Sequence, residues 1–213
     1  TRGGGGNTVR NIIASPDSGV STDEIFDVTP YAVELTNRLI AESDSWNLPR
    51  KYKVSFSSSK RDLDAAMTHD LGLVAKVKDG VKGFEVYLAG GMGARPALGN
   101  FYLDFLPADR VYHVAKALKR LFDKNGNRKN KHAARIRFLW QRVGRDEFIK
   151  LLEDELAVVD SEGFSPLIPE EISEVKMKTS NINLVENDSK EFKLWRERFV
   201  DDSKLTNLKL VRI

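Results

Sequence analysis

Leu71-Gly-Leu-Val-Ala-Lys-Val-Lys-Asp-Gly-Val-Lys-Gly-Phe-Glu-Val-Tyr-Leu-Ala89 carries the signals that decide the fold. Strand formers run from Leu71 to Lys78 and again from Phe84 to Ala89. Between them stands Asp79-Gly80, a pair suited to the tight turn of a β-hairpin. Upstream, Lys51-Tyr-Lys-Val-Ser-Phe-Ser57 alternates strictly, so Tyr52, Val54 and Phe56 share one strand face while Lys51, Lys53 and Ser55 share the other. Val9 to Ala14 and Asn100 to Leu106 read as two further strands.

Helical spacing fills the gaps. Thr29 offers an N-cap with Pro30 at the first helical position, and Tyr31, Val33, Leu35, Leu39 and Ile40 continue a helix to about Glu42. Val111, Val114, Ala115, Leu118, Leu121 and Phe122 recur at helical spacing until Asn125-Gly126 stops the run. Ala133 to Val143 and Asp146 to Leu156 make two more. The expectation is an α+β fold, a mixed β-sheet of about five strands with helices packed on it and gathered late in the chain. Residues 1–158 form the main domain, 159–191 a polar, proline-bearing linker, and 192–213 the opening of something further.

Composition narrows the function. The chain has 213 residues, 41% hydrophobic and 31% charged, enough to bury a core. No apolar run approaches the ~18–20 residues that cross a bilayer, and no signal peptide pattern opens the chain. The expected setting is cytoplasmic. A first residue of Thr1 suggests a piece of a longer protein. The formal charge of +3 admits an anionic partner but is modest for nucleic acid. With no cysteine, the chain by itself supports no disulfide, thiolate zinc site or Cys-ligated cluster.

Three stretches bear chemistry, and each has a plainer use. Gly3 to Asn11 is Gly-Gly-Gly-Gly-Asn-Thr-Val-Arg-Asn. Its glycines let a backbone approach a ligand, and Arg10 adds a planar cation, but a loose chain end before a strand uses glycine too. Lys51 and Lys53, two apart on a strand face, repel one another by ~0.2–1 kcal/mol. An anion between them reverses that sign; a solvated strand face is the commoner explanation. Arg128, Lys129, Lys131, Arg135, Arg137 and Arg142 read as one basic helix, with Arg128, Arg135 and Arg142 seven residues apart along one side. Solvation alone accounts for such charges in most helices. Gly90-Gly-Met-Gly93 lacks the rest of a P-loop or dinucleotide fingerprint and reads as a turn. His69, His113 and His132 have no metal-ligand spacing.

Together the segments resemble the siroheme-containing sulfite and nitrite reductases. The matching pieces occur in that family's order: Asn7-Thr-Val-Arg-Asn11, Leu48-Pro-Arg-Lys-Tyr-Lys53, Asp64 to Val74, the hairpin into Ala89-Gly-Gly-Met-Gly93, and Asn127 to Gly144. The resemblance covers about Gly5 to Leu156 and implies a first siroheme-facing α+β module. A cysteine-bearing half of the same chain would hold the 4Fe–4S cluster, and 192–213 would open the second ferredoxin-like half-domain. It implies six-electron reduction of sulfite to sulfide or of nitrite to ammonia, fed by a donor such as ferredoxin or a flavoprotein, with no nucleic acid and no membrane. The fragment alone is expected to be inactive. By motif, Arg10, Lys51 and Lys53 match the cations around the substrate anion. Arg10, Asn11, Arg135 and Arg137 match residues directed at the siroheme. Sulfite-reducing members typically keep Lys at the Lys53 position, so the resemblance leans to sulfite. The alternatives are a non-catalytic module binding nucleic acid or another anion through the basic helix and the Lys51/Lys53 face, or a structural module that braces a partner half.

Overall fold

A computed structural model of the chain describes residues 5–93, 95–170, 189–205 and 208–212. The first glycines of the Gly3 to Asn11 stretch and positions 171–188 of the expected linker lie outside the described residues.

Five strands form one mixed sheet in chain order: β1 (Val9–Ala14), β2 (Tyr52–Ser57), β3 (Leu71–Lys78), β4 (Val81–Leu88) and β5 (Asn100–Pro107). The pairs β1–β2 and β2–β3 are parallel, while β3–β4 and β4–β5 are antiparallel. The parallel pairs need crossovers, supplied by α1 (Thr29–Ala41) and the short α2 (Leu63–Met67). The hairpin turns at Asp79 and Gly80, both at positive φ (51° and 77°), as the Asp-Gly pair implies. The helices α3 (Val111–Asn125), α4 (Ile136–Val143) and α5 (Arg145–Ser161) follow the sheet.

The alternation in β2 sets the layers. Tyr52, Val54 and Phe56 are buried with Leu71, Leu73, Phe84, Val86 and Leu88, and the apolar stripes of α1 and α3 join the same core. The Tyr52 hydroxyl donates to the Ala115 carbonyl at 3.1 Å and so satisfies its buried polar end. Phe84 meets Phe26, Tyr31 and Phe56 edge-on, with centroids 5.5, 5.7 and 5.4 Å away. Such pairs add ~0.5–1.5 kcal/mol each beyond the area they bury. On the opposite face α2 lies directly on Gly72, where a Cβ would stand 2.1 Å from the Ala66 carbonyl oxygen. Only glycine lets the helix come this close. Lys119 of α3 is wholly buried, and its charge is met by Glu42, Asp44 and the Ser45 hydroxyl.

Three expectations need correction. The basic helix does not exist as one element, because α4 starts only at Ile136. The side chain of Asn127 accepts the N–H groups of Lys129 and Asn130, and that of Asn130 accepts the N–H of His132. These local bonds compete with a helical ladder and hold a loop with a single 3-10 turn, Lys131–Ala133. Second, α1 is capped by Val28, not Thr29; the Thr29 N–H donates to Asp27 Oδ1 at 2.9 Å. Third, α5 runs beyond Leu156 to Ser161, so the first three residues of the expected linker, Val159 to Ser161, belong to a helix. The next stretch is strapped down: the Ser165 N–H donates to His113 Nε2 (3.1 Å), Arg38 donates to the carbonyls of Ser165 and Pro166 (3.0 and 2.8 Å), and the Leu167 N–H donates to the Asp109 carbonyl (2.8 Å).

Near the end, α6 (Lys190–Phe199) leads into the antiparallel pair β6 (Val200–Asp202) and β7 (Lys209–Val211). This unit rests on the main body through a Ser21–Ser203 bridge and through Arg61, which donates to Asp201 at 3.1 Å.

Candidate anion-binding site

One end of the sheet collects the starts of β1, β2 and β3 and the finish of β4. The register places Arg10 beside Lys53, whereas their neighbours Val9 and Tyr52 pair on the core side. Successive strand residues point to opposite faces, so Arg10 and Lys53 stand together on the face away from the core. Lys51, two residues earlier, precedes β2 on that same side. The β1–β2 register shifts between Arg10 and Ile12, and Asn11 fills the bulge at φ 38°. Asparagine tolerates that left-handed backbone better than most residues, and the bulge redirects the strand just after Arg10.

The electrostatics show how closely the cations gather. Burial, followed by the neighbouring charges of Lys53, Arg135, Arg10 and Arg50, lowers the pKa of Lys51 below the ordinary lysine value of 10.5. His69 titrates below its ordinary value as well, mainly through burial, with Lys53 and Arg135 adding to the shift. Its Nδ1 lies 2.6 Å from the Ala65 carbonyl, which can only accept, so Nδ1 carries the proton.

Among the described residues, one wholly buried carboxylate bonds directly into this cluster. Asp70, the residue before β3, is wholly buried. Its Oδ2 accepts the Lys53 N–H at 2.9 Å and Arg135 Nη2 at 2.8 Å, while Oδ1 accepts Arg135 Nε at 3.3 Å. Burial pushes the Asp70 carboxyl up, and Arg135, the Lys53 amide and Arg137 hold it back. Arg135 reaches it because, as the extended N-cap of α4, it has left the helical path. Arg137, 4% exposed, lies with its guanidinium over the Phe138 ring (4.6 Å) and donates to the Met92 carbonyl at 3.4 Å.

The loop after β4 is more than a turn. It closes on itself through paired bonds between Gly91 and Ala97, and it begins at Ala89, whose φ is 65°. A Cβ on Gly91 would lie 2.6 Å from Arg137 Nη1, so the bare glycine leaves room for that guanidinium.

The structure therefore brings Arg10, Lys51, Lys53 and Arg135 within electrostatic reach of one another, with Arg137 beside Arg135. It sets Asn11 apart: exposed in its bulge, its side chain meets no hydrogen-bond partner among the described residues. Arg128 and Arg142 go elsewhere, donating to the carbonyls of Asn47 (2.9 Å) and Asn125 (2.6 Å). The seven-residue row on which a nucleic-acid surface depended is not formed. Sequence reasoning missed Arg50, His69 and Asp70. Arg50 lay inside the quoted Pro-Arg-Lys motif; Asp70 offered only the faint signal of one acid at the head of an apolar strand.

The lowered Lys51 pKa has a consequence for pH. The cation is present below its folded pKa and lost above it, so a bound anion loses this partner before the ordinary value of 10.5 is reached. The same depression makes the charged form a cost to the fold at neutral pH, relieved as pH rises between the folded value and 10.5. Sulfate, doubly charged throughout the alkaline range, is expected to bind the chain progressively less well as pH rises towards 10.5. Calorimetric titration at stepped pH checks this, and a flat profile up to 10.5 contradicts it.

The family model described as nitrite and sulphite reductase 4Fe-4S domain matches residues 5–159. A protein of Mycolicibacterium paratuberculosis named sulfite reductase (ferredoxin) 1 is 32% identical over 151 residues, covering 70% of this chain and 27% of its own length. The assimilatory ferredoxin-dependent nitrite reductase of Haloferax mediterranei is 31% identical over 161 residues, covering 73% and 28%. Among solved structures, the NirA protein of Mycobacterium tuberculosis superposes with a TM-score of 0.68 at 26% identity, over 96% of this chain and 33% of that one. The chain thus spans under a third of the curated relatives named here, at 27% and 28% of their lengths.

Proposed function

Since this chain belongs to the nitrite and sulphite reductase 4Fe-4S domain family, we propose that it is the siroheme-facing module of an enzyme reducing sulfite to sulfide, or nitrite to ammonia, by six electrons. The observation that carries the reading is the gathering of Arg10, Lys51 and Lys53 at one end of the sheet, with Arg135 beside them paired to the buried Asp70. Like charges held together at a partly buried site cost free energy unless an anion joins them. A family whose named members are sulfite and nitrite reductases supplies such anions.

The roles combine the family motif with this clustering. Arg10, Lys51 and Lys53 bind and orient the substrate oxyanion, and their N–H groups donate to the oxygens that depart as water, stabilising charge as it develops. Arg10, Arg137 and the edge of Arg135 that Asp70 leaves uncovered are directed at the carboxylates of siroheme; Asn11, set apart in its bulge, is assigned there by the family motif alone. The donor set, guanidinium and ammonium, suits a polycarboxylate macrocycle. When bound, siroheme supplies the electron-transfer centre.

The 4Fe–4S cluster does not fit this chain, which has no cysteine to ligate it. Its ligands belong to a cysteine-bearing half, without which this piece is inactive. Two lysines favour the more highly charged sulfite over nitrite. Ferredoxin, present in the names of both relatives, is the donor we favour, with a flavoprotein as the other choice. No described helix is long and apolar enough to cross a membrane, and a cytoplasmic setting goes with this proposal. The test is the intact protein expressed alongside siroheme synthesis. It is expected to show a siroheme absorbance and to reduce sulfite with a chemical electron donor; a colourless, inactive product overturns the reading.

A further inference from the structure

We propose that Asp70 is a positioning residue that decides which cations meet the substrate: by binding Arg135 side-on it withdraws that guanidinium from the anion and leaves Arg10, Lys51 and Lys53 to hold it. The inference deepens the proposed function and rests on the same anion site.

The geometry is specific. Asp70 offers one oxygen to Arg135 Nε (3.3 Å) and the other to Nη2 (2.8 Å), the two-pronged pairing that best fixes a guanidinium. The second oxygen also takes the Lys53 N–H at 2.9 Å, which pins the backbone of the lysine that faces the anion. Asp70 cannot yield, since it is 0% exposed and its own carbonyl receives the Ala89 N–H at 2.9 Å. Arg135 is almost as confined, at 7% exposure. The pair is therefore a nearly neutral couple inside a cationic cluster. Breaking one half of such a couple leaves a buried charge that seeks a new partner, and the nearest candidate is the anion.

The prediction runs against the intuition that removing a buried carboxylate only damages a site. In the 213-residue chain, Asp70→Asn releases Arg135 while keeping an oxygen for the Lys53 amide. Sulfite at pH 8 is then expected to bind the variant about tenfold more tightly than the parent chain, the lower end of what one added charged hydrogen bond contributes. Adding Arg135→Gln is expected to abolish that gain. Unchanged or weaker binding by D70N, or a gain that survives R135Q, overturns the proposal.

A measurement on the unaltered chain guards against a variant that fails to fold. With ¹³C-lysine and ¹⁵N-arginine labels, sulfite is expected to shift the side-chain NMR signals of Lys51 and Lys53 and leave Arg135 Nε unmoved. An Arg135 signal that tracks the lysines overturns the inference while leaving the anion site intact. No shift at any of the three overturns the site itself, and this inference with it.

Discussion

Lys51→Ala in the intact reductase is expected to lower turnover of sulfite by about 10²–10³-fold, the usual cost of deleting one fixed donor to a developing oxyanion. Lys51 is singled out by its surroundings. Four neighbouring cations, Lys53, Arg135, Arg10 and Arg50, weigh on its ammonium group together with partial burial. An anion placed there is attracted by several of these groups at once, and the loss of Lys51 removes one of its contacts. Because Lys51 precedes β2 and is absent from the core, its truncation leaves Tyr52, Val54 and Phe56 in place. The variant should load siroheme to the same absorbance as the parent, so the loss will be in kcat and not in folded protein. Steady-state rates with reduced methyl viologen decide the matter. A siroheme-loaded variant whose rate stays close to that of the parent would assign the anion to other residues and make this module a brace.

The second large effect is on stability. Gly72→Ala is expected to cost about 3 kcal/mol, at the upper end of ordinary overpacking. The added carbon would lie 2.1, 2.6 and 2.9 Å from the oxygen, carbonyl carbon and Cα of Ala66, all backbone atoms that cannot rotate away. Relief requires α2 to lift from the sheet. The last residue of α2, Met67, receives the Gly99 N–H at its carbonyl (2.6 Å), and the segment that follows receives the Gly90 N–H at the His69 carbonyl (2.9 Å) and ends on Asp70. Lifting it therefore disturbs the anion site as well as the packing. For a chain of this size the loss translates into a fall in melting temperature of roughly 6–12 °C. A variant that melts within a degree or two of the parent would show that α2 is held less tightly than the contact with Gly72 implies.

Legibility in the sequence followed the range of the interactions. The hairpin could be read because Asp79-Gly80 states its turn locally, and β2 because its alternation states its two faces. The convergence of Arg10 with Lys53 could not be read from spacing, since it depends on the parallel pairing of β1 and β2 through α1; it entered only through resemblance to a family. The stretch before α4 misled because its basic residues have helical spacing, while the bonds that break the helix come from Asn127 and Asn130, whose side chains favour caps and turns over helix interiors. Asp70 was illegible for a different reason. An acid at the head of an apolar strand normally faces water, and nothing nearby in the chain announces that Arg135 will cover it.

Strand order equal to chain order also shapes how the molecule assembles. Each strand of the sheet finds its partner in the next one along the chain; the β3–β4 hairpin closes at Asp79-Gly80 at little entropic cost, whereas β1 and β2 must close the longer stretch from Ala14 to Tyr52. Arg135 arrives at Asp70 from 65 residues downstream. On a nascent chain the acid is thus enclosed by its hairpin while its counter-ion is still unmade. The ribosome must deliver α4 before this end of the sheet can become dry.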